Sequence, residues 1–285
     1  MIQAVTDAAS PRGNEDRFGY SAGAAWVLDG ATDLSGFDLE GRTAAWWLVE
    51  ALQRELQNCA AEGADMDAFD LVTRLSSGAR EWLYQKFGMT RRTVWDALEQ
   101  ASSALSIVRK IGRRWAVIAF ADCPVLYRQP ATGEVTTIVN EGFSPVEQRS
   151  LEAFEQARRL EPRAELKRLS ELTRPVLMRN RLLMNAEGGY AVGAIRPPPR
   201  SLVSEYHLPE GVEAVAILSD GFSRWFDLFQ LGSSEELFQQ IEAGQAAKAL
   251  AELREVERSD PDGRGFARFK THDDATCFYA RLDDL

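Results

Sequence analysis

A short apolar strand that halts on an acid constrains this chain more than any other feature. The run Ala25-Trp26-Val27-Leu28 is followed at once by Asp29-Gly30 and then by Ala31-Thr32-Asp33. Runs of roughly four to eight apolar residues closed by a turn residue are the form that a buried strand takes. An aspartate at the mouth of such a strand is costly to desolvate unless a cation, a basic side chain or backbone donors meet it. One Asp-Gly pair is an ordinary turn. Here the pattern repeats, because the apolar run 214–218 ends in Ser219-Asp220-Gly221. Near the C-terminus, His272-Asp273-Asp274 leads into Ala275-Thr276-Cys277-Phe278-Tyr279-Ala280, so there the acids precede the strand. If that last strand runs antiparallel to the other two, all these acids gather at one edge of a sheet.

Carboxylates crowded in this way repel one another and raise each other's pKa unless cations neutralise them. With no histidine or cysteine in the set, an all-oxygen site suits Mg²⁺ or Mn²⁺ better than zinc. Two such ions about 4 Å apart clamp a water and a phosphoryl oxygen and acidify that water into a nucleophile. The residue types therefore point to metal-assisted hydrolysis, against a competing reading of three unrelated aspartate turns.

Elsewhere the spacing of apolar residues predicts a layered α+β fold. Residues 2–6 and 18–21 are expected to form a first pair of strands around the polar bend at 10–16. From Leu39 the pattern is helical, with Ala45, Leu48, Val49, Leu52 and Leu56 on one face. A second amphipathic helix carries Leu71, Val72, Leu75, Ala79 and Leu83 and is closed by Gly88. A shorter helix over 93–102 leads into strand-like runs at 104–109, 114–121, 124–128 and 134–139. Further strands are expected at 190–195, 202–207 and 214–218, and helices at 222–230, 234–242 and 244–257. Helices grouped between runs of strands, without strict alternation, favour antiparallel pairing.

With 285 residues the chain can bury a substantial core, and no linker, repeat or low-complexity segment divides it. A single domain over 1–285 is expected. The longest apolar run, 115–121, falls far short of the roughly 20 residues that cross a bilayer. The first seven residues lack a basic region followed by an apolar core, which argues against a signal peptide. A net charge of -10 argues against bulk binding to nucleic acid or to an anionic membrane. Cys59, Cys123 and Cys277, odd in number and set among apolar residues, read as reduced core residues of a cytoplasmic protein.

The segment 145–184 stands apart. With its two helical stretches, 145–160 and 163–184, it carries nine Arg and Lys against six acids in an otherwise acidic chain. The plain reading is a solvated helical face. The sharper one is a basic flap, inserted at about 145–185, beside a phosphate-bearing substrate.

Taken in order, the blocks Arg12-Gly13-Asn14-Glu15-Asp16, Val27-Leu28-Asp29-Gly30, Ala119-Phe120-Ala121-Asp122, Leu218-Ser219-Asp220-Gly221 and Asp273-Asp274-Ala275-Thr276 span nearly the whole chain. This ordered set resembles the metal-dependent protein phosphatases of type 2C. The resemblance implies a four-layer α-β-β-α sandwich of two antiparallel sheets flanked by helices, with a centre of two Mn²⁺ or Mg²⁺ ions at one end. It implies that Asp16 serves the metal centre, that Asp29 bridges the two ions and that the carbonyl of Gly30 also ligates. Asp220 and Asp273 complete the set, and Asp122 is the candidate ligand of a third ion. Glu15 would act through bound water. Arg12 would hold the substrate phosphate, a role that a bidentate guanidinium suits. The implied activity is hydrolysis of phosphoserine and phosphothreonine by a hydroxide shared between two metals, with no phosphoenzyme. The implied partner is a phosphorylated protein, the target of a partner Ser/Thr kinase.

Several positions depart from that family's pattern. Arg12 lies four residues before Asp16, one fewer than is usual. The histidine often found just after Asp-Gly, proposed as a general acid, is Ala31 here. The usual Gly-Asp-Ser block reads Ala121-Asp122-Cys123, and the last block has Asp-Asp for Asp-Asn, with His272 beside it. These departures motivate an alternative: a catalytically weak or inactive relative that acts as a phosphoprotein-binding or regulatory module. A small-molecule phosphatase built on the same site is a third reading.

Overall fold

Buried strands must pair their backbone donors and acceptors, and the apolar runs of this chain do so in two sheets. The computed structural model describes the chain apart from residues 11–12, 32–35, 37, 60–65 and 89–91. The N-terminal half contains β1 (Ile2–Asp7), β2 (Asp16–Ser21), β3 (Ala24–Gly30), α1 (Ala44–Cys59), α2 (Ala68–Phe87), α3 (Arg92–Leu98), β4 (Ser103–Ile111), β5 (Arg114–Phe120), β6 (Val125–Arg128) and β7 (Val135–Ile138). The C-terminal half contains α4 (Ser144–Leu160), α5 (Leu166–Arg181), β8 (Glu205–His207), β9 (Ala214–Leu218), α6 (Asp220–Ser223), α7 (Ser234–Glu242), α8 (Ala246–Ser259) and β10 (Ala275–Arg281). One sheet has the order β1-β10-β9-β6-β7 and the other β2-β3-β4-β5-β8, with every pairing antiparallel.

β3 serves two layers at once. Side chains alternate across a strand, so Ala25 and Val27 join Val117, Val215, Ile217 and Phe278 in the core between the sheets. Trp26 and Leu28 face the other way and pack with Leu48 and Leu52 of α1 and Leu75 of α2. On the far side of the molecule, Phe238 of α7 and Leu253 of α8 cover Ala216, Leu218 and Cys277. The layers therefore run helix, sheet, sheet, helix, the α+β sandwich that the sequence resemblance implies. Cys59, Cys123 and Cys277 are buried, each in a different cluster. Among the described residues no helix is long and apolar enough to cross a membrane.

α4 and α5 make a smaller cluster of their own, in which Phe154 and Leu169 pack against Phe269. The rings of Phe154 and Phe269 lie 5.0 Å apart. Asn180 of α5 fastens the two helices by donating to the Val146 carbonyl at 3.2 Å and to Ser150 Oγ at 2.9 Å.

Three local expectations fail for identifiable reasons. The strands at 2–6 and 18–21 do not pair with each other: β1 lies beside β10 and β2 beside β3, in opposite sheets. β1 and β2 are therefore not the two arms of a hairpin. Residues 190–195 are not a strand. Asn185, at φ 49°, accepts the Val192 N–H at 2.9 Å and donates to the Val192 carbonyl at 3.1 Å, so one amide side chain takes groups a neighbouring strand would take. The helix expected over 222–230 shortens to α6, after which Phe229 and Leu231 bond back to the carbonyls of Arg224 and Trp225. Phe222, Trp225 and Phe229 are still buried, so helical spacing here reports burial without a helix.

Candidate metal centre

The acids meet where strand ends of the two sheets meet. Asp16 opens β2 and lies directly opposite Asp29 of β3, so both side chains share the face turned toward the second sheet. Asp220 arrives from that second sheet, at the step from β9 into α6, and its backbone N–H donates to Asp29 Oδ2 at 3.2 Å. Asp273 and Asp274 lie just before β10, which pairs with β9. Two glycines permit this close approach. A Cβ on Gly30 would stand 2.9 Å from Glu15 Cβ, and one on Gly221 would stand 2.0 Å from the Asp274 carbonyl oxygen. Each Asp-Gly pair is thus required by packing and is more than a turn.

Charge divides the cluster into two halves. Asp16 is 2% exposed, and neither of its carboxylate oxygens has a hydrogen-bond partner among the described residues. Burial, reinforced by the charge of Asp274, pushes its carboxyl up to about 8. The hydroxyls of Ser219 and Thr276 pull it back only in part, against the larger effect of burial. Thr276 Oγ1 is paired with Thr6 Oγ1 at 2.7 Å, and Ser219 Oγ accepts the Thr276 N–H at 2.8 Å. Asp29 is likewise raised well above the usual carboxylate range, first by burial and then by Asp16 and Asp220. Asp122 is raised by burial and then by Asp220 and Glu147. Ala121 before it sits at φ 55°, the left-handed region where glycine is at ease. Glu15 is raised by burial, opposed by the Thr43 hydroxyl that donates to it at 2.5 Å.

The Asp220–Asp273 half has counter-charges of its own. Arg224 Nη2 donates to Asp273 Oδ2 at 2.6 Å and to Asp220 Oδ2 at 3.0 Å, while Lys270 Nζ donates to Asp273 Oδ1 at 2.6 Å. Burial pushes the Asp273 carboxyl up, but Lys270 and Arg224 together outweigh it and hold the group at about 2. Asp274 plays a structural part. Its two oxygens accept the N–H groups of Ala9 at 2.7 Å and Glu15 at 2.6 Å, which fixes the bend that delivers Asp16. Sequence reasoning missed Arg224, Lys270 and this use of Asp274. The spacing did hold a signal, since Arg224 follows Asp220 by four residues and Lys270 precedes Asp273 by three, both within ion-pair reach.

These environments decide what fits a divalent ion. A carboxylate pair that no side-chain cation meets is the setting that a divalent ion stabilises. Among the described residues Asp16, with both oxygens unpartnered, and Asp29, with Oδ2 bonded only to the Asp220 N–H, meet that description, and the Gly30 carbonyl lies next to them. Asp220 and Asp273 do not, because side-chain cations already meet them. Among the described residues no three His, Cys, Asp or Glu side chains stand as a preformed chelate. A cavity of about 600 Å³ adjoins the cluster, lined by Asp29, Asp122, Asp220 and Asp273 and also by Lys167, Arg174 and Arg181 of α5. Arg12, the expected phosphate ligand, lies outside the described residues.

The chain shares its fold with solved bacterial serine/threonine phosphatases. The catalytic domain of the serine/threonine protein phosphatase PstP, in complex with two manganese ions, matches at a TM-score of 0.53 and 15% identity over 99% of this chain and 97% of that one. The Mycobacterium tuberculosis phosphatase PstP/Ppp gives a TM-score of 0.54 at 15% identity, over 99% and 98% of the two chains. The phosphatase Stp1 from Staphylococcus aureus gives 0.56 at 12% identity, over 98% and 94%. At such identities the shared property is the fold. No protein-family model matches the chain, and no curated protein matches it in sequence.

Proposed function

We propose that this chain is a metal-assisted phosphatase that hydrolyses phosphoserine and phosphothreonine in phosphorylated proteins of the cytoplasm, the targets of a Ser/Thr kinase. The observation that carries this reading is Asp16, a buried carboxylate whose two oxygens lack partners among the described residues, set against Asp29 beside a cavity that basic side chains also line. An acid pair that burial drives toward protonation serves structure badly and a cation well.

Asp16, Asp29 and the Gly30 carbonyl would hold Mn²⁺ or Mg²⁺. Bound there, a divalent ion supplies Lewis acidity toward a phosphoryl oxygen and lowers the pKa of a water. By the resemblance, Asp220 and Asp273 would hold a second ion that would help to acidify the attacking water, and Asp122 would hold a further one. The chain's own groups bind and orient the substrate. We read 145–185 as a helical flap on a single domain, and its Lys167, Arg174 and Arg181 bring positive charge to the cavity for a phosphate, in addition to the role the resemblance gives Arg12. Ser170, which lines the same cavity and donates to the Phe269 carbonyl, adds a hydroxyl oxygen that can accept from a peptide N–H.

A second reading, a phosphoprotein-binding or regulatory module, is favoured by the ion pairs of Arg224 and Lys270 on Asp220 and Asp273. Manganese-dependent hydrolysis of p-nitrophenyl phosphate and of phosphopeptides, abolished by Asp29→Ala, is expected of the phosphatase. A folded, manganese-loaded chain that binds phosphopeptides and turns over neither compound would establish the binding module instead.

A further inference from the structure

We infer that Arg224 and Lys270 take the place of a second divalent ion, so that this site holds one ion, on Asp16 and Asp29, and neutralises its Asp220–Asp273 half with side-chain cations. The inference rests on the metal-assisted reading above and departs from the two-ion centre that the sequence resemblance implies.

The geometry of one nitrogen is the first support. Arg224 Nη2 reaches Asp273 Oδ2 at 2.6 Å and Asp220 Oδ2 at 3.0 Å, so a single atom bridges two carboxylates as a shared ion would. Lys270 Nζ takes the other oxygen of Asp273 at 2.6 Å, and the Asp274 N–H reaches that same oxygen at 3.1 Å. Both oxygens of Asp273 are therefore committed. Charge is the second support. Arg224 and Lys270 together carry the charge of one divalent ion, and it balances Asp220 and Asp273. No ion pair reaches Asp16 or Asp29 among the described residues, so these two acids are left for a cation to meet.

Anchoring is the third support. Arg224 is 13% exposed and follows the short helix that Asp220 opens. Lys270 comes from a different segment, next to Phe269, which is packed on Phe154 of α4. A second ion would have to displace both groups, give up three hydrogen bonds, and lie beside two positive charges that repel it. The guanidinium keeps its charge at any ordinary pH. A chelator can strip an ion from this site, but it cannot strip these cations.

Equilibrium dialysis of the whole chain against Mn²⁺, with free ion counted by its paramagnetic resonance signal, tests the inference without reference to turnover. The expected result is about one bound ion per chain, lost in Asp16→Asn and retained in Asp273→Asn. The neutral pair Arg224→Gln/Lys270→Gln is expected to admit a second ion. Circular dichroism checks that each variant is folded, and Asp273→Asn decides alone should the double variant not fold. Two ions bound by the unaltered chain, loss of binding in Asp273→Asn, or a folded double variant that still takes one ion would each overturn the inference and leave the phosphatase reading standing. No ion bound by the unaltered chain would overturn the metal-assisted reading itself, and the inference with it.

Discussion

Asp16 and Asp29 are direct cross-strand partners at the open end of the β2–β3 ladder, the first without a hydrogen bond to its carboxylate among the described residues and the second bonded to the Asp220 N–H. Adjacent buried carboxylates cannot both ionise cheaply in the absence of a cation. The pair therefore ties the chemistry of the site to the stability of the sandwich.

In the presence of a chelator, stability should fall as pH rises. The folded chain holds a proton on Asp16 up to about pH 8, against 3.8 for an ordinary aspartate. Across that window the folded state binds more protons than the unfolded one, so unfolding becomes easier with increasing pH. Thermal unfolding in EDTA should show a lower midpoint near pH 8 than near pH 5.5, and Asp16→Asn should flatten the difference. Asp273 acts with the opposite sign, since a group held at about 2 gives stability that is lost as pH falls from about 4 toward 2. A midpoint that is equal or higher at pH 8 would count against an unpartnered Asp16.

Asp274 should prove a structural acid. Replacing it with Ala leaves the N–H groups of Ala9 and Glu15 without their acceptors, at an expected cost of about 1–3 kcal/mol in urea unfolding. Asp273→Asn, whose partners are Arg224, Lys270 and the N–H of the adjacent Asp274, should leave the bonds of Ala9 and Glu15 in place. Equal perturbation of Asp16 by both variants, read from the pH dependence above, would contradict this division of labour.

Gly221 should tolerate no side chain. The Cβ of Gly221→Ala would press on a backbone oxygen, at 2.0 Å, in the one place where β9, α6 and the start of β10 come together. A loss of roughly 3 kcal/mol or more is expected. Recovery of soluble protein with an unchanged melting temperature would show that the turn can move.

The cavity walls should discriminate between substrates. Lys167→Glu/Arg174→Glu reverses charge on α5 beside the site and should raise KM for phosphopeptides about tenfold while changing kcat little. p-Nitrophenyl phosphate, which lacks a peptide to bind, should feel a smaller effect. Equal loss on both substrates would place these side chains at the phosphate alone.

The strand 25–28 with its Asp-Gly stop, and the same arrangement at 214–221, were legible because burial on both faces writes a continuous apolar run. The layered α+β class followed from how such runs are grouped. Pairing was less legible: β1 and β2 are close in sequence yet lie in different sheets, and nothing local encodes that separation. At the site, the acids could be named from their positions at strand ends. Arg224 and Lys270 could not, because a cation beside an acid in sequence looks like any solvated pair until the fold buries it. Asn185 escaped notice for a related reason, since a side-chain amide that serves a backbone segment leaves no periodic signal.

The bond from the Asp220 N–H to Asp29 Oδ2 joins the end of β9 in one sheet to the end of β3 in the other. Whatever grips Asp29 also pulls on that bond, so a ligand at the rim acts as a latch between the halves of the sandwich. Occupancy would then be readable at a distance, as amide protons along β3 and β9 exchanging more slowly in step with each other.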